Sequence, residues 1–344
     1  RMSPVAEPQK LIDALLKATH AMVANIQPDA TLEEKFDRVF FPALALHRPV
    51  VQHLIDTFYR DDFPSLAALT EQRPAASDLV QQALSRGDEV AVATNPLFPR
   101  TAIVQRLTWA GLPPEQVPFA LIPSYETFHF GKPHPAYFAE LLAQLGWPDG
   151  PVVMVGDDPR NDIEPARQLG LPVFWIAPPT TAWPGPGVEP ARGGLEDLLP
   201  WIDRQPASAL LPDYRSLVAL RAILRSTPAA LETILVGWSA TELTSQPEPG
   251  EWSAVEVLCH LRDVEQEVNL VRLEKVMESE NPFIAGQDTD RWALDRQYIL
   301  QDCLDALGAF QQTRIELLAR LEALSEEDWQ RPVRHAIFGP TRLV

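Results

Sequence analysis

Between residues 89 and 176 short apolar runs alternate with amphipathic helical stretches, and this alternation restricts the fold more than any other feature of the chain. Residues 89–95, 119–122, 151–155 and 173–176 read as strands, nearly continuous in apolar side chains and bounded by Gly, Pro or Asp. Such runs suit strands buried on both faces. Residues 77–86, 101–110, 135–145 and 163–169 read as helices between them, and Gly87, Gly111 and Gly170 stand where three of these stop. Glycine ends helices because the left-handed backbone costs it nothing. Strands alternating with helices in this way imply a parallel sheet covered by helices.

The flanks differ. Residues 8–60 read as helical, with Thr31 and Glu34 spaced as a capping box. Five prolines from Pro178 to Pro190 punctuate an irregular stretch, and residues 204–214 read as a linker. After the linker the strand signals disappear. One helix is expected to start at Thr227-Pro228, and a second opens at Ser253 with Glu256 and runs to about residue 278. Leu304, Leu307, Phe310, Leu317 and Leu321 mark a third. Long amphipathic helices joined by loops imply a bundle. The expectation is an α/β domain over 1–203 (1–75 mainly helical, 76–203 the core) and an all-α bundle over 215–344.

Charge narrows the partners. Lys and Arg total 29 against 47 Asp and Glu, a net charge of −18. Neither half is basic, which disfavours nucleic-acid phosphates and anionic membrane surfaces. No apolar run reaches the ~18–20 residues of a membrane span. Cys259 and Cys303 form no CxxC pair or disulfide framework, as expected in a reducing cytoplasm. Lysine is scarce, and Lys132 stands alone between residues 36 and 274.

In an open parallel sheet, ligands sit at the carboxyl ends of the strands. Here those ends carry Thr94-Asn95, then Gly131-Lys132-Pro133 after the second run, then Gly156-Asp157-Asp158-Pro159-Arg160-Asn161-Asp162. A hydroxyl, an ammonium and carboxylates at one rim suit a phosphate with Mg²⁺, which takes one or two carboxylates plus water and phosphate oxygens. Polar strand ends are also ordinary turns. The acidic run is the better signal, because its carboxylates repel one another unless a cation joins them.

The runs ending in Thr94-Asn95, Gly131-Lys132-Pro133-His134-Pro135 and Gly156-Asp157-Asp158-Pro159-Arg160-Asn161-Asp162 resemble, in order and spacing, motifs two, three and four of the haloacid-dehalogenase-like (HAD) hydrolases. The resemblance implies a Rossmann-like core with a helical cap. It implies that Thr94 holds the phosphoryl group with Asn95 beside it, and that Lys132 offsets charge. It further implies that Asp157 ligates Mg²⁺ with Asp158 as a helper, and that Asp162 supports the metal shell or Lys132. Motif one, an Asp-x-Asp carrying the nucleophile and the acid/base, has no counterpart near the start; Asp13 lies in a helical context. The expectation is that this strand lies upstream of the 344 residues.

In the second domain His260 sits between Val257, Val264 and Val271 on one side and Glu256, Asp263 and Glu267 on the other. It reads as an interfacial histidine or as a metal ligand. Cys259 and Cys303 read as buried thiols. The run Trp252-Ser253 through His260-Leu261-Arg262-Asp263-Val264-Glu265, with Phe338-Gly339-Pro340, resembles the DinB-like family. That resemblance implies a four-helix bundle holding a divalent metal such as Zn²⁺ or Ni²⁺ by three histidines, of which His260 matches the first. His335 does not match, and the last helix is expected beyond residue 344.

The combined expectation is a cytoplasmic Mg²⁺-dependent phosphatase acting on a small phosphorylated metabolite through an aspartyl-phosphate. The 344 residues alone are expected to be inactive. A homodimer through the bundle is the expected self-association. The alternatives are an inactive phosphate-binding regulatory protein and a metal-dependent transferase activity in the bundle.

Overall fold

The computed structural model describes residues 8–343. Packing divides the chain into two units, the first ending at Ala230 and the second beginning at Leu231.

The first unit opens with helices α1 (Pro8–Val23), α2 (Leu32–Ala43) and α3 (Arg48–Thr57). Thr31 caps α2, its Oγ1 accepting from Glu34 N at 3.3 Å. Leu32 N donates to Phe128 O (2.7 Å) and Glu33 N to Tyr125 O (2.8 Å), fastening α2 to a distant stretch of chain. Helices α4 (Pro74–Ser85), α5 (Arg100–Trp109) and α6 (Pro135–Gln144) follow. Strands β1 (Met154–Gly156), β2 (Val173–Ile176) and β3 (Ala191–Gly193) form a parallel sheet in the order β1-β2-β3, with Met154 opposite Val173 and Phe174 opposite Ala191. Helix α7 (Glu164–Leu169) connects β1 to β2, the crossover that parallel neighbours require; α8 (Leu198–Arg204) follows β3. Phe128, Phe130, Tyr137, Ile163 and Leu169 are fully buried in the core, joined by Ala219, Ala222 and Ala229 of α9 (Leu217–Ile234). Each large side chain buried this way contributes about 1.5–3 kcal/mol.

The sheet is narrower than the four expected strands. Residues 90–92 and 120–121 share two backbone hydrogen bonds, Ala120 N to Val90 O and Val92 N to Leu121 O, each 2.9 Å. A ladder needs a regular repeat of such bonds, and these stretches form no strand. Strand β3 carries Arg192 between two small residues and gave no apolar signal.

In the second unit α10 (Ala240–Thr244) precedes α11 (Ala254–Val264), which continues through a π-helical turn, Glu265–Asn269, into α12 (Leu270–Glu278). Then come α13 (Trp292–Asp295), α14 (Cys303–Glu322) and α15 (Glu326–Trp329). Val255, Leu258, Cys259, Tyr298 and Phe310 form the core between α11 and α14. Cys303 is buried beside them.

Two expectations need correction here. The unit is not all-α: β4 (Phe283–Ile284) pairs parallel with β5 (Pro332–His335), which pairs antiparallel with β6 (Gly339–Arg342). Phe338-Gly339-Pro340 leads into β6; Gly339 has φ +71°, a left-handed backbone that suits glycine. Pro332 and Pro340 stand inside these short strands and hide their alternation. Thr227-Pro228 lies inside α9 rather than at its start, with Thr227 Oγ1 donating to Ile223 O at 2.8 Å. No helix among the described residues is long and apolar enough to cross a membrane.

Candidate functional site

Three segments of the first unit, far apart in sequence, are joined around Lys132. The Lys132 amide donates to Asn95 Oδ1 at 3.1 Å, and Tyr137 Oη donates to Thr94 O at 2.7 Å. A Cβ on Gly131 would lie 3.1 Å from Asn95 Oδ1, so glycine lets the two loops approach. The Lys132–Pro133 peptide is cis.

The Lys132 side chain reaches the third segment. Its Nζ donates to Asp162 Oδ1 at 2.5 Å, and both residues are buried. The ammonium also lies 5.6 and 5.7 Å from the rings of Tyr137 and Phe138, within cation–π range. Asp162 Oδ2 accepts from Asp158 N at 3.2 Å. A Cβ on Gly156 would lie 2.5 Å from the Asp162 side chain, so only glycine fits there.

Asp158 caps the turn that begins at Pro159. Its Oδ1 accepts from Arg160 N (2.8 Å) and Asn161 N (3.0 Å), and its Oδ2 accepts from Asn161 Nδ2 (2.6 Å). Burial pushes this carboxyl up, but the hydrogen bonds from Asn161 and Arg160 and the field of Lys132 outweigh it and hold it below the usual range. Asp157 is exposed, and its carbonyl accepts from Trp175 Nε1 at 3.1 Å.

Among the described residues, the Thr94 hydroxyl, the Asn95 amide nitrogen and the Asp157 carboxylate make no hydrogen bond within the chain. These are the groups left for a ligand. The donor set also tests the implied Mg²⁺. Asp162 is paired with Lys132 and Asp158 is engaged in its cap, so Asp157 is the carboxylate that would hold the ion. No group of three or more His, Cys, Asp or Glu among the described residues is arranged to hold a metal. One carboxylate with phosphate and water oxygens still suits Mg²⁺.

Sequence reasoning missed the support beneath this rim. His129 and Glu140 are fully buried, and the Glu140 carboxylate holds the backbone of residues 129 and 130. The legible sign was a lone Glu in α6, flanked by the buried Phe138, Ala139, Leu141 and Leu142.

His260, on α11 in the second unit, is half-buried. Its ring lies 4.7 Å from that of Trp252 and 6.3 Å from that of Trp292. Its Nδ1 is buried and has no hydrogen-bond partner among the described residues. Burial pushes the imidazole below its ordinary pKa, against the fields of Asp263 and Asp290. An imidazole kept neutral with an open nitrogen has the chemistry of a metal ligand, but no second and third ligand is gathered around it among the described residues. His335 closes β5, where its Nδ1 accepts from Ile337 N and Phe338 N at 3.2 and 3.4 Å.

The expected polarity of this helix holds only in part: Glu267 is exposed and Val264 half-buried. Val257 and Val271 are exposed, while Glu256, Asp263 and Glu265 are buried. The acids are satisfied inside. Asp263 accepts from Arg262 Nε (2.7 Å), Arg296 (2.5 Å) and Tyr298 Oη (2.6 Å). Glu265 accepts from Arg314 Nε and from Asn269 Nδ2.

Comparison with known proteins fits this division. Residues 129–178, which hold Lys132, Asp157, Asp158 and Asp162, match the HAD-hydrolase-like family model. Residues 223–343 match the DinB superfamily model. The chain thus carries a HAD-like hydrolase region followed by a C-terminal DinB superfamily domain. Among solved structures it is similar to YfiT from Bacillus subtilis, described as a probable metal-dependent hydrolase with an unusual four-helix bundle topology. That match has 21% identity over 36% of this chain and 70% of the other, with a TM-score of 0.33. No curated protein matches the chain.

Proposed function

We propose that the first unit is the phosphate-binding part of a Mg²⁺-dependent phosphatase for a small phosphorylated metabolite. One observation carries the reading: the buried Lys132 ammonium is held by Asp162 and joined through its own backbone to Asn95, next to the unengaged Thr94 hydroxyl. Thr94 and Asn95 donate to phosphoryl oxygens, and Lys132 offsets their charge. Asp162 holds the ammonium in place. Asp157 is the ligand for Mg²⁺, which when bound supplies further charge stabilisation at the phosphate.

The reaction is hydrolysis of a phosphomonoester. A carboxylate attacks phosphorus in line, the ester oxygen leaves with a proton, and water releases inorganic phosphate from the aspartyl-phosphate. The attacking carboxylate is the first-motif Asp that the resemblance calls for. The first unit as it stands binds phosphate and does not turn over.

The test is calorimetric titration of the 344-residue chain with inorganic phosphate in the presence of Mg²⁺. Binding that is lost in Lys132→Ala and weakened in Asp157→Asn is expected. Binding unchanged in Lys132→Ala overturns the site. Mg²⁺-dependent turnover of a phosphomonoester by these residues alone overturns the mechanism.

A further inference from the structure

Glu140 has no part in the phosphate chemistry just described. Its carboxylate sits at zero exposure on α6, in surroundings that disfavour a charge and push its pKa up. Such a group persists where its hydrogen bonds hold something in place. All of its donors come from two consecutive residues. His129 N lies 3.1 Å from each carboxylate oxygen, Phe130 N donates to Oε2 at 3.2 Å, and His129 Nδ1 lies 2.8 Å from Oε1. These residues immediately precede Gly131-Lys132.

The same stretch is held from its other side. Asn25 Nδ2 donates to His129 O at 2.8 Å, and also to Gln27 O at 2.8 Å, in the turn between α1 and α2. His129 is therefore gripped through both its N–H and its C=O, and Phe130 through its N–H. Beyond it the chain is held again, by Asn95 at the Lys132 amide and by Asp162 at the ammonium.

We infer that Glu140 is a positioning residue for Lys132: with Asn25 it clamps residues 129–130 and thereby sets where the ammonium meets phosphate. The inference rests on the phosphatase reading for its ligand, while the clamp itself is read directly from these contacts. The side chain acts through the backbone and touches no substrate. In catalysis a misplacement of about 1 Å costs up to about a hundredfold in rate.

The experiment compares Glu140→Gln and Glu140→Leu with the parent 344-residue chain. Gln keeps the size and one acceptor oxygen, whereas Leu fills the space without burying a charge. Two readouts are taken on each variant: affinity for inorganic phosphate with Mg²⁺, and amide hydrogen exchange over residues 129–132. Both variants are expected to lose about tenfold in phosphate affinity, with faster exchange at residues 129–132 and an α6 core that stays protected. A merely structural role would instead leave affinity and local exchange at parental values in whichever variant keeps its melting temperature, and that result overturns the inference. Should the variants at position 140 melt early, Asn25→Ser tests the other arm of the clamp by the same two readouts, and parental values there overturn it equally. If Lys132→Ala abolishes phosphate binding while the Glu140 variants bind like the parent, the phosphatase reading stands and the clamp falls. If the parent chain binds no phosphate, that reading fails; parental exchange at residues 129–132 then removes the clamp too, and faster exchange keeps it.

Discussion

Lys132 and His260 occupy comparable positions in the two units, each a basic side chain that a family resemblance places at a metal or phosphate site, yet their surroundings differ. Lys132 is held by Asp162 and by rings from α6 at its ammonium and by Asn95 at its amide, so groups from three separate segments fix one residue. His260 lies between two indoles with its Nδ1 unengaged, while Asp263, only three residues on, is committed to Arg262, Arg296 and Tyr298. The first arrangement orients its charge before any ligand arrives. The second keeps an imidazole neutral and leaves its orientation to ring packing.

The sharpest way to break this contrast is Lys132→Ala. It strands a buried Asp162 carboxylate, and losing one partner of a buried pair costs about 3–5 kcal/mol. Denaturant unfolding of the first unit should show that loss, together with the loss of phosphate binding. Replacing both partners, Lys132→Met with Asp162→Leu, should restore most of the stability, because the uncompensated charge is gone. Phosphate binding should stay lost. If the double variant binds phosphate, the pair is structural and the contrast with His260 collapses.

A second test uses pH. His134 follows the cis Lys132–Pro133 bond and caps α6, its Nδ1 accepting from Ala136 N at 3.1 Å. Burial, with the field of Arg225 added, pushes its pKa down to about 4 from the ordinary 6.5. The folded state therefore holds a neutral imidazole where the unfolded chain takes up a proton. Stability is complete above pH 6.5 and falls as pH drops towards 4, by about 3 kcal/mol in all. His134→Asn keeps a capping oxygen and should flatten that slope in the first unit. A slope unchanged in His134→Asn would assign the pH dependence elsewhere.

The third test addresses the second unit. Asp263→Asn removes the charge that three donors share, at a cost of about 2 kcal/mol by the usual worth of hydrogen bonds to ionised groups. The thermal transition of the second unit should fall, while the Trp252–His260 packing, read from tryptophan fluorescence, stays near the parent. A lost fluorescence signature would mean that the Asp263 network also orients His260.

How much of this was legible depends on how local each feature is. Helix limits follow from glycines and caps within a few residues, and the apolar run at 173–176 is β2 itself. The charged interior of the second unit was not legible. Asp263 read with Glu267 as a solvated face, yet it is buried against Arg296, 33 residues further along the chain, and Glu265, which carried no reading, is buried against Arg314, 49 residues further. Periodicity records which residues share a helix face and is silent about what waits opposite. The hairpin failed for a related reason, since its prolines break the alternation that a strand normally displays. At the Lys132 rim, motif order named the residues, but Asp162 was left open between a metal shell and the lysine. Only the 2.5 Å contact shows which neighbour it has.

The smallest expected effect is the most informative about His260. Zn²⁺ or Ni²⁺ added to the 344-residue chain meets no closed three-ligand site around His260, since no group of three or more ligating side chains is gathered among the described residues. At a tenth of its Kd a ligand stabilises the folded state by less than about 0.1 kcal/mol, whereas at a hundredfold excess over Kd it contributes about 2.7 kcal/mol. A lone histidine belongs to the first regime at micromolar metal and a closed three-ligand site to the second. The melting temperature of the second unit should therefore stay unchanged with micromolar Zn²⁺, and be equally unchanged in His260→Ala with metal. A metal-induced rise of several degrees that disappears in His260→Ala would show that the helix already presents a complete site. The first unit offers the matched control, because Mg²⁺ alone should do little there while Mg²⁺ with phosphate should raise its transition. The two units would then differ in kind, one oriented for its ligand and the other holding a ligand-competent nitrogen without companions.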